Sequence, residues 1–134
     1  MWKNLRAILP LYKIVPVCIS PYFWGQDKHI IEMWLKQFTG YAHLDIGPGP
    51  YPYTNRSSIV QDITLMDINK HVLNMAASRT RQDVYISKVV GDVMNADAMP
   101  RERYDSVSCF NVLHCCDDEE KFTKFFANVQ RVLK

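Results

Sequence analysis

The sequence predicts an α/β fold, a parallel sheet with helices on both faces. Three observations carry this reading. Short apolar runs that suit buried strands recur around Leu44 and Ile46, over Ile63–Asp67, over Val84–Val90 and over Tyr104–Phe110. The segments between them are too long for hairpin turns, and the two after Ile63–Asp67 and Tyr104–Phe110 repeat their apolar residues at helical period. Strands joined by such crossovers pair in parallel, through right-handed connections. The first run also ends in Gly47-Pro48-Gly49-Pro50, a turn, and the next two end in Asp67 and Gly91-Asp92. The expected strand order, 3-2-1-4, opens a crevice between the first and fourth strands, where the glycine turn would lie.

Residues 1–39 read as an N-terminal arm and helix, and residues 40–134 as the sheet domain. Lys3 and Arg6 precede an apolar run from Ala7 to Ser20, in the outline of a signal peptide. Pro10, Lys13 and Pro16 interrupt it, and it falls short of the ~20 apolar residues of a membrane span. A packed, irregular arm is expected, in which Pro21-Tyr22-Phe23-Trp24 either packs inward or forms an aromatic lid. Asp27 is placed to cap a helix whose inward stripe is Ile30, Ile31, Trp34, Leu35 and Phe38, with Gly40 as its stop.

Beyond the glycine turn, Thr54 to Gln61 is polar and weakly periodic, so the first crossover helix is expected to be short or distorted. Asn69 should cap a helix through Arg79 that turns Val72, Leu73 and Ala76 inward. Asp117 or Asp118 should cap the last helix, with Phe122, Phe125, Phe126, Val129, Val132 and Leu133 on one face. Acids in its first turn and Arg131 and Lys134 at its end suit the macrodipole.

Composition sets outer bounds. The 134 residues make one domain, 48% hydrophobic and 22% charged. A net charge of +2 supplies no field for nucleic acid. Cys18, Cys109, Cys115 and Cys116 show no C-x-x-C spacing and read as reduced thiols of a cytoplasmic protein. No metal is expected at His114-Cys115-Cys116, because adjacent cysteines rarely close one tetrahedral site.

The glycine turn bears on chemistry. Glycine admits φ > 0 and lets a ligand approach where a Cβ would stand. A dinucleotide fingerprint needs a third glycine at position 52, which is Pro52, and Asp45 would repel a pyrophosphate. No Gly-Lys-Ser/Thr follows to make a P-loop. An acid beside the turn suits a ligand with a cationic group and a ribose but no phosphate. S-adenosylmethionine is such a ligand.

Leu44-Asp45-Ile46-Gly47-x-Gly49 resembles motif I of the class I S-adenosylmethionine-dependent methyltransferases, which have a Rossmann-like fold. The form Gly47-x-Gly49-Pro50-x-x-Tyr53 is most similar to that of the nicotinamide and phenylethanolamine N-methyltransferases, although Tyr51 stands where a third glycine is common. The resemblance covers roughly residues 40–134. It implies that Asp45 anchors the methionine end of the cofactor through its ammonium, that Gly47 and Gly49 give backbone access, and that Tyr53 lies against the cofactor. It implies that Asp67, with Ile68 beside it, holds the ribose, and that Asp92 takes the adenine amine while the Val93 amide meets the ring. Asp97 is a rival to Asp92. Asn111 and Val112 would bracket the methionine part, and His114 could steer an acceptor or take a proton.

The implied activity is methyl transfer to a small-molecule acceptor, an amine for this loop type. One rival is an NAD-binding oxidoreductase; another is a methyltransferase-like, non-catalytic partner subunit. In the family, Arg131-Val132-Leu133-Lys134 is normally followed by Pro-Gly-Gly and further strands. The expectation is therefore an incomplete sheet whose fourth strand has an open edge, prone to self-association or to pairing with another chain, with poor transfer by this chain alone.

Overall fold

The computed structural model describes residues 28–110, 112 and 115–134. Asp27, the Pro21–Trp24 segment and Cys18 lie outside the described residues, as do Asn111, Leu113 and His114. The chain runs α1 (Lys28–Phe38), β1 (Ala42–Ile46), a 3-10 turn (Tyr53–Arg56), β2 (Asp62–Asp67), α2 (Lys70–Arg79), β3 (Tyr85–Val90), a second 3-10 turn (Ala96–Ala98), β4 (Ser106–Ser108) and α3 (Glu119–Val132). The four strands form one parallel sheet in the order β3-β2-β1-β4. The expected architecture and strand order are present, and the first crossover carries only the short 3-10 turn.

The pleat divides the strands between two layers. Leu44 and Ile46 share a face with Thr64 and Met66, their partners in register, and α3 covers it with Phe125 and Val132. His43 and Asp45 share the opposite face with Ile63 and Leu65, where α2 brings Leu73 and Ala76. Tyr104 crosses beneath the sheet to donate its hydroxyl to Thr64 Oγ1 at 3.1 Å.

The N-caps of α2 and α3 are local chemistry. Asn69 accepts from the amides of His71 and Val72, and Asp118 accepts from Lys121, each satisfying amides that a helix start leaves open. Of the two acids proposed for the last helix, Asp118 is the cap; Asp117 instead pairs with the Lys121 ammonium.

Three expectations need correction. Strand β4 spans Ser106–Ser108 rather than Tyr104–Phe110; at its start the Ala42 amide takes the Asp105 carboxylate in place of a backbone carbonyl, and Tyr104 pairs with Leu133 instead of β1. That single parallel bridge lies at the foot of β4, with the Tyr104 amide donating to Val132 O and the Lys134 amide to Tyr104 O. On α3, Phe125, Asn128 and Val132 are buried, whereas Phe122 and Phe126 stack on each other in the open. On α1 Ile31 and Leu35 are buried, whereas Ile30, Trp34 and Phe38 are exposed. A periodic stripe marks a face, and its width is set by what covers it. Gly40 lies just beyond the end of α1, where its stop is expected, without a left-handed φ; a Cβ there would strike Asp105.

Among the described residues no helix is long and apolar enough to cross a membrane.

Candidate functional site

The C-terminal ends of the strands meet at the glycine turn. Asp45, the fourth residue of β1, is 3% exposed. Its Oδ1 accepts the Ser108 hydroxyl at 2.9 Å and its Oδ2 the Thr54 hydroxyl at 3.3 Å. Burial pushes the carboxyl up to about 6, against the pull of both hydroxyls. An ionised carboxylate has about four lone-pair positions, and these two bonds leave capacity for another donor or a water.

Gly47 and Gly49 both take left-handed φ, 65° and 62°. The two glycines do different things. Gly47 donates its amide to Met66 O at 2.8 Å, tying the turn to β2, and a Cβ on it would run into Val112 Cγ2. Gly49 faces open space, with nothing within 4 Å of where its Cβ would be. The first glycine thus lets the segment after β4 close on the turn, and the second leaves room above it.

Tyr51, at the position of the common third glycine, is braced from below. The Arg79 guanidinium lies 4.1 Å from its ring centroid and donates to Pro50 O at 2.8 Å. Asn55 fixes the Arg79 carbonyl in turn. Tyr53 meets Phe110 edge to face at 5.7 Å, and burial pushes its phenol up.

At the end of β2, Asp67 is half-buried and accepts the Asn69 amide on Oδ1 at 2.8 Å. Burial pushes its carboxyl up, and the Asn69 and Ile68 amides pull it back. Ile68 beside it is 65% exposed, an apolar surface at the strand's mouth. The Gly91 amide donates to Asp67 O at 3.1 Å, so the ends of β2 and β3 lie side by side. Asp92 is exposed and accepts the Met94 amide at 2.8 Å. Val93 is buried, its side chain in the core and its carbonyl held by Asn128. Asp97 sits on the second 3-10 turn, which folds back until Ala98 lies against Gly91. Both acids therefore remain near the β3 end.

The structure thus brings Asp45, Gly47, Gly49, Tyr53 and Val112 together around the β1–β4 opening and Asp67, Ile68, Asp92 and Val93 along the neighbouring strand ends. The candidates Asn111 and His114 lie outside the described residues. Sequence reasoning missed Thr54, Ser108, Arg79 and Phe110. Ser106 and Ser108 alternate on one face of β4, opposite His43 and Asp45 in register, a signal visible only once the pairing is known.

A buried acid under a turn of two left-handed glycines, open space above Gly49 and a second acid on the adjacent strand suit a ligand with a cation and a ribose. A phosphate beside Asp45 would set anion against anion. Parallel strands with a crevice at the point where strand order reverses define a Rossmann-like domain of the type that holds adenosyl cofactors. The methyltransferase-domain family matches residues 44–134, and the chain belongs to that family.

The chain is 33% identical to the O-methyltransferase adaD of Aspergillus niger, across 72% of this chain and 43% of that protein. It shares its fold with an S-adenosylmethionine-dependent methyltransferase of Clostridium acetobutylicum (TM-score 0.72, 18% identity, 93% of this chain and 54% of that one). It is also similar to the N-methyltransferase NodS of Bradyrhizobium japonicum, crystallised with S-adenosyl-L-homocysteine (TM-score 0.67, 19% identity, 80% of this chain and 55% of that one). The chain spans about half the length of these relatives. Methyltransferases of this family use S-adenosylmethionine.

Proposed function

We propose that the chain binds S-adenosylmethionine across the ends of β1, β2 and β3 and serves methyl transfer to a small-molecule acceptor. The glycine turn carries the reading: two left-handed glycines, one closed against Val112 and one open, directly above a buried acid. Asp45 would attract the methionine ammonium, directly or through water. Asp67 would accept the ribose hydroxyls with the oxygen that the Asn69 amide leaves available, beside the exposed Ile68. Asp92, or its rival Asp97, would accept the adenine amine, with the Val93 amide at the ring. Tyr53, held by Phe110, and Val112 would wall the methionine part.

Bound S-adenosylmethionine supplies an electrophilic methyl group on a sulfonium. The protein's share of such an in-line displacement is to hold donor and nucleophile in line and exclude water, so no nucleophilic side chain is required. The resemblance of Gly47-x-Gly49-Pro50-x-x-Tyr53 to the loop of the nicotinamide and phenylethanolamine N-methyltransferases points to an amine acceptor. Incubation of the purified chain with methyl-labelled S-adenosylmethionine and matched sets of small amines and phenols tests this. Label on amines supports it; label on phenols alone would move the acceptor to oxygen, and label on neither would remove the catalytic reading of this chain.

A further inference from the structure

His43 is 1% exposed, two residues before Asp45 on the same face of β1, and nothing in the cofactor reading uses it. It stands in a chain of buried hydrogen bonds. The Gly40 amide donates to Ser106 Oγ at 2.8 Å, and Ser106 Oγ lies 2.7 Å from His43 Nδ1. His43 Nε2 lies 2.9 Å from Ser108 Oγ, which donates to Asp45 Oδ1 at 2.9 Å.

The direction of this chain follows from proton counting. A hydroxyl has one proton, and an ionised carboxylate only accepts. Ser108 must therefore spend its proton on Asp45 and receive one from His43 Nε2. A neutral imidazole has one donor and one acceptor, so Nδ1 accepts from the Ser106 hydroxyl, which itself accepts the Gly40 amide. The opposite tautomer would turn the Ser108 proton toward the ring and leave its lone pair facing the carboxylate. Burial pushes the imidazole down to about 4, which keeps it neutral and able to play both parts. Serial bonds of this kind polarise one another in a low-dielectric interior.

We propose that His43 is a positioning residue for the cofactor: as the Nε2–H tautomer it fixes the Ser108 hydroxyl, and through it the ionised Asp45 carboxylate, at the floor of the glycine turn. The inference rests on the reading of the crevice as an S-adenosylmethionine site. It adds to motif I a second layer of support that runs from the backbone at Gly40, through both strands, to the carboxylate.

Two measurements test it. Heteronuclear NMR of the imidazole nitrogens in the ligand-free chain at neutral pH reads the tautomer directly. Nε2–H is expected, and Nδ1–H would overturn the relay whatever the ligand. Calorimetric titration of wild type, His43→Leu, His43→Gln and Ser108→Ala then compares S-adenosylhomocysteine with methylthioadenosine, which lacks the amino-acid end. His43→Leu and Ser108→Ala should lose about five- to tenfold for S-adenosylhomocysteine and under about twofold for methylthioadenosine. His43→Gln should recover most of the loss, since its amide can still donate to Ser108. Equal losses for both ligands would reduce His43 to a packing residue and overturn the proposal. Should His43→Leu fail to fold, Ser108→Ala gives the same comparison. A wild type with the expected tautomer that bound neither ligand would instead refute the cofactor reading beneath it.

Discussion

The two halves of the crevice hold their acids in different ways. Between β1 and β4, Asp45 is buried and is gripped by hydroxyls from two other elements, Ser108 and Thr54. Across the ends of β2 and β3, Asp67 is half-buried and Asp92 exposed, and each accepts an amide two residues further along its own loop. Hydroxyls from distant segments fix a carboxylate only in the folded state. Amides two residues on are present whenever the local turn forms. One half is thus built by tertiary packing and sensitive to it; the other is built by local sequence and tolerant of change. The contrast suits a ligand with a small charged end to be enclosed and a flat, broad end to be laid along strand mouths.

The sharpest way to break the comparison is at the glycines. Gly47→Ala combines left-handed strain of ~1–2 kcal/mol with overpacking against Val112 of ~1–3 kcal/mol, so a loss of about 2–5 kcal/mol is expected in denaturant unfolding. Gly49→Ala has the strain alone and should lose only about 1–2 kcal/mol. Val112→Ala should recover part of the first loss and none of the second.

Within the inner half, two buried groups titrate in opposite senses. With Asp45 raised to about 6, the native chain keeps a proton that the unfolded chain gives up near 3.8, so this group lowers stability as pH rises through that window. His43, lowered from 6.5 to about 4, acts oppositely: the unfolded chain takes up the proton, and stability falls as pH drops through 6.5. Between about 4 and 6 the two slopes offset each other. Asp45→Asn removes one of them, and its stability should rise by roughly 3 kcal/mol as pH increases across that range. Unfolding curves over pH that stay parallel for the two proteins would contradict this.

On the outer half, Asp67→Ala should weaken S-adenosylmethionine about ten- to a hundredfold, the worth of a bond to a charged group, while leaving the melting temperature nearly unchanged. Unchanged affinity by calorimetry would reject the ribose assignment. Smallest is the adenine contact, where Asp92→Asn should weaken S-adenosylhomocysteine about threefold and Asp97→Asn should not. The reverse pattern would exchange the two acids.

What could be read from the sequence follows the same division. The Asn69 cap, the end of β2 at Asp67, the end of β3 before Gly91 and the positive φ of Gly47 and Gly49 all depend on nearby residues, and the chain spells them out. Strand order was legible because crossovers allow few topologies. The length of β4 was not, since Tyr104 pairs with Leu133 instead of β1 and the Ala42 amide takes the Asp105 carboxylate in place of a backbone carbonyl. The inward faces of α1 and α3 were read too wide, because apolar residues at helical spacing do not say how far their neighbours reach. Nor was the polar set on β1 and β4 legible. Among apolar strand residues His43 reads as noise until the register puts Ser106 opposite it and Ser108 opposite Asp45. The Arg79 brace on Tyr51 likewise joins residues far apart in sequence.

What the crevice holds is measured most directly by calorimetric titration of the purified chain with S-adenosylhomocysteine and, separately, with NAD. The account predicts saturable one-to-one binding of S-adenosylhomocysteine that is weakened by Asp67→Ala, with no heat of binding from NAD. Binding of NAD without S-adenosylhomocysteine, or S-adenosylhomocysteine binding indifferent to Asp67, would contradict it.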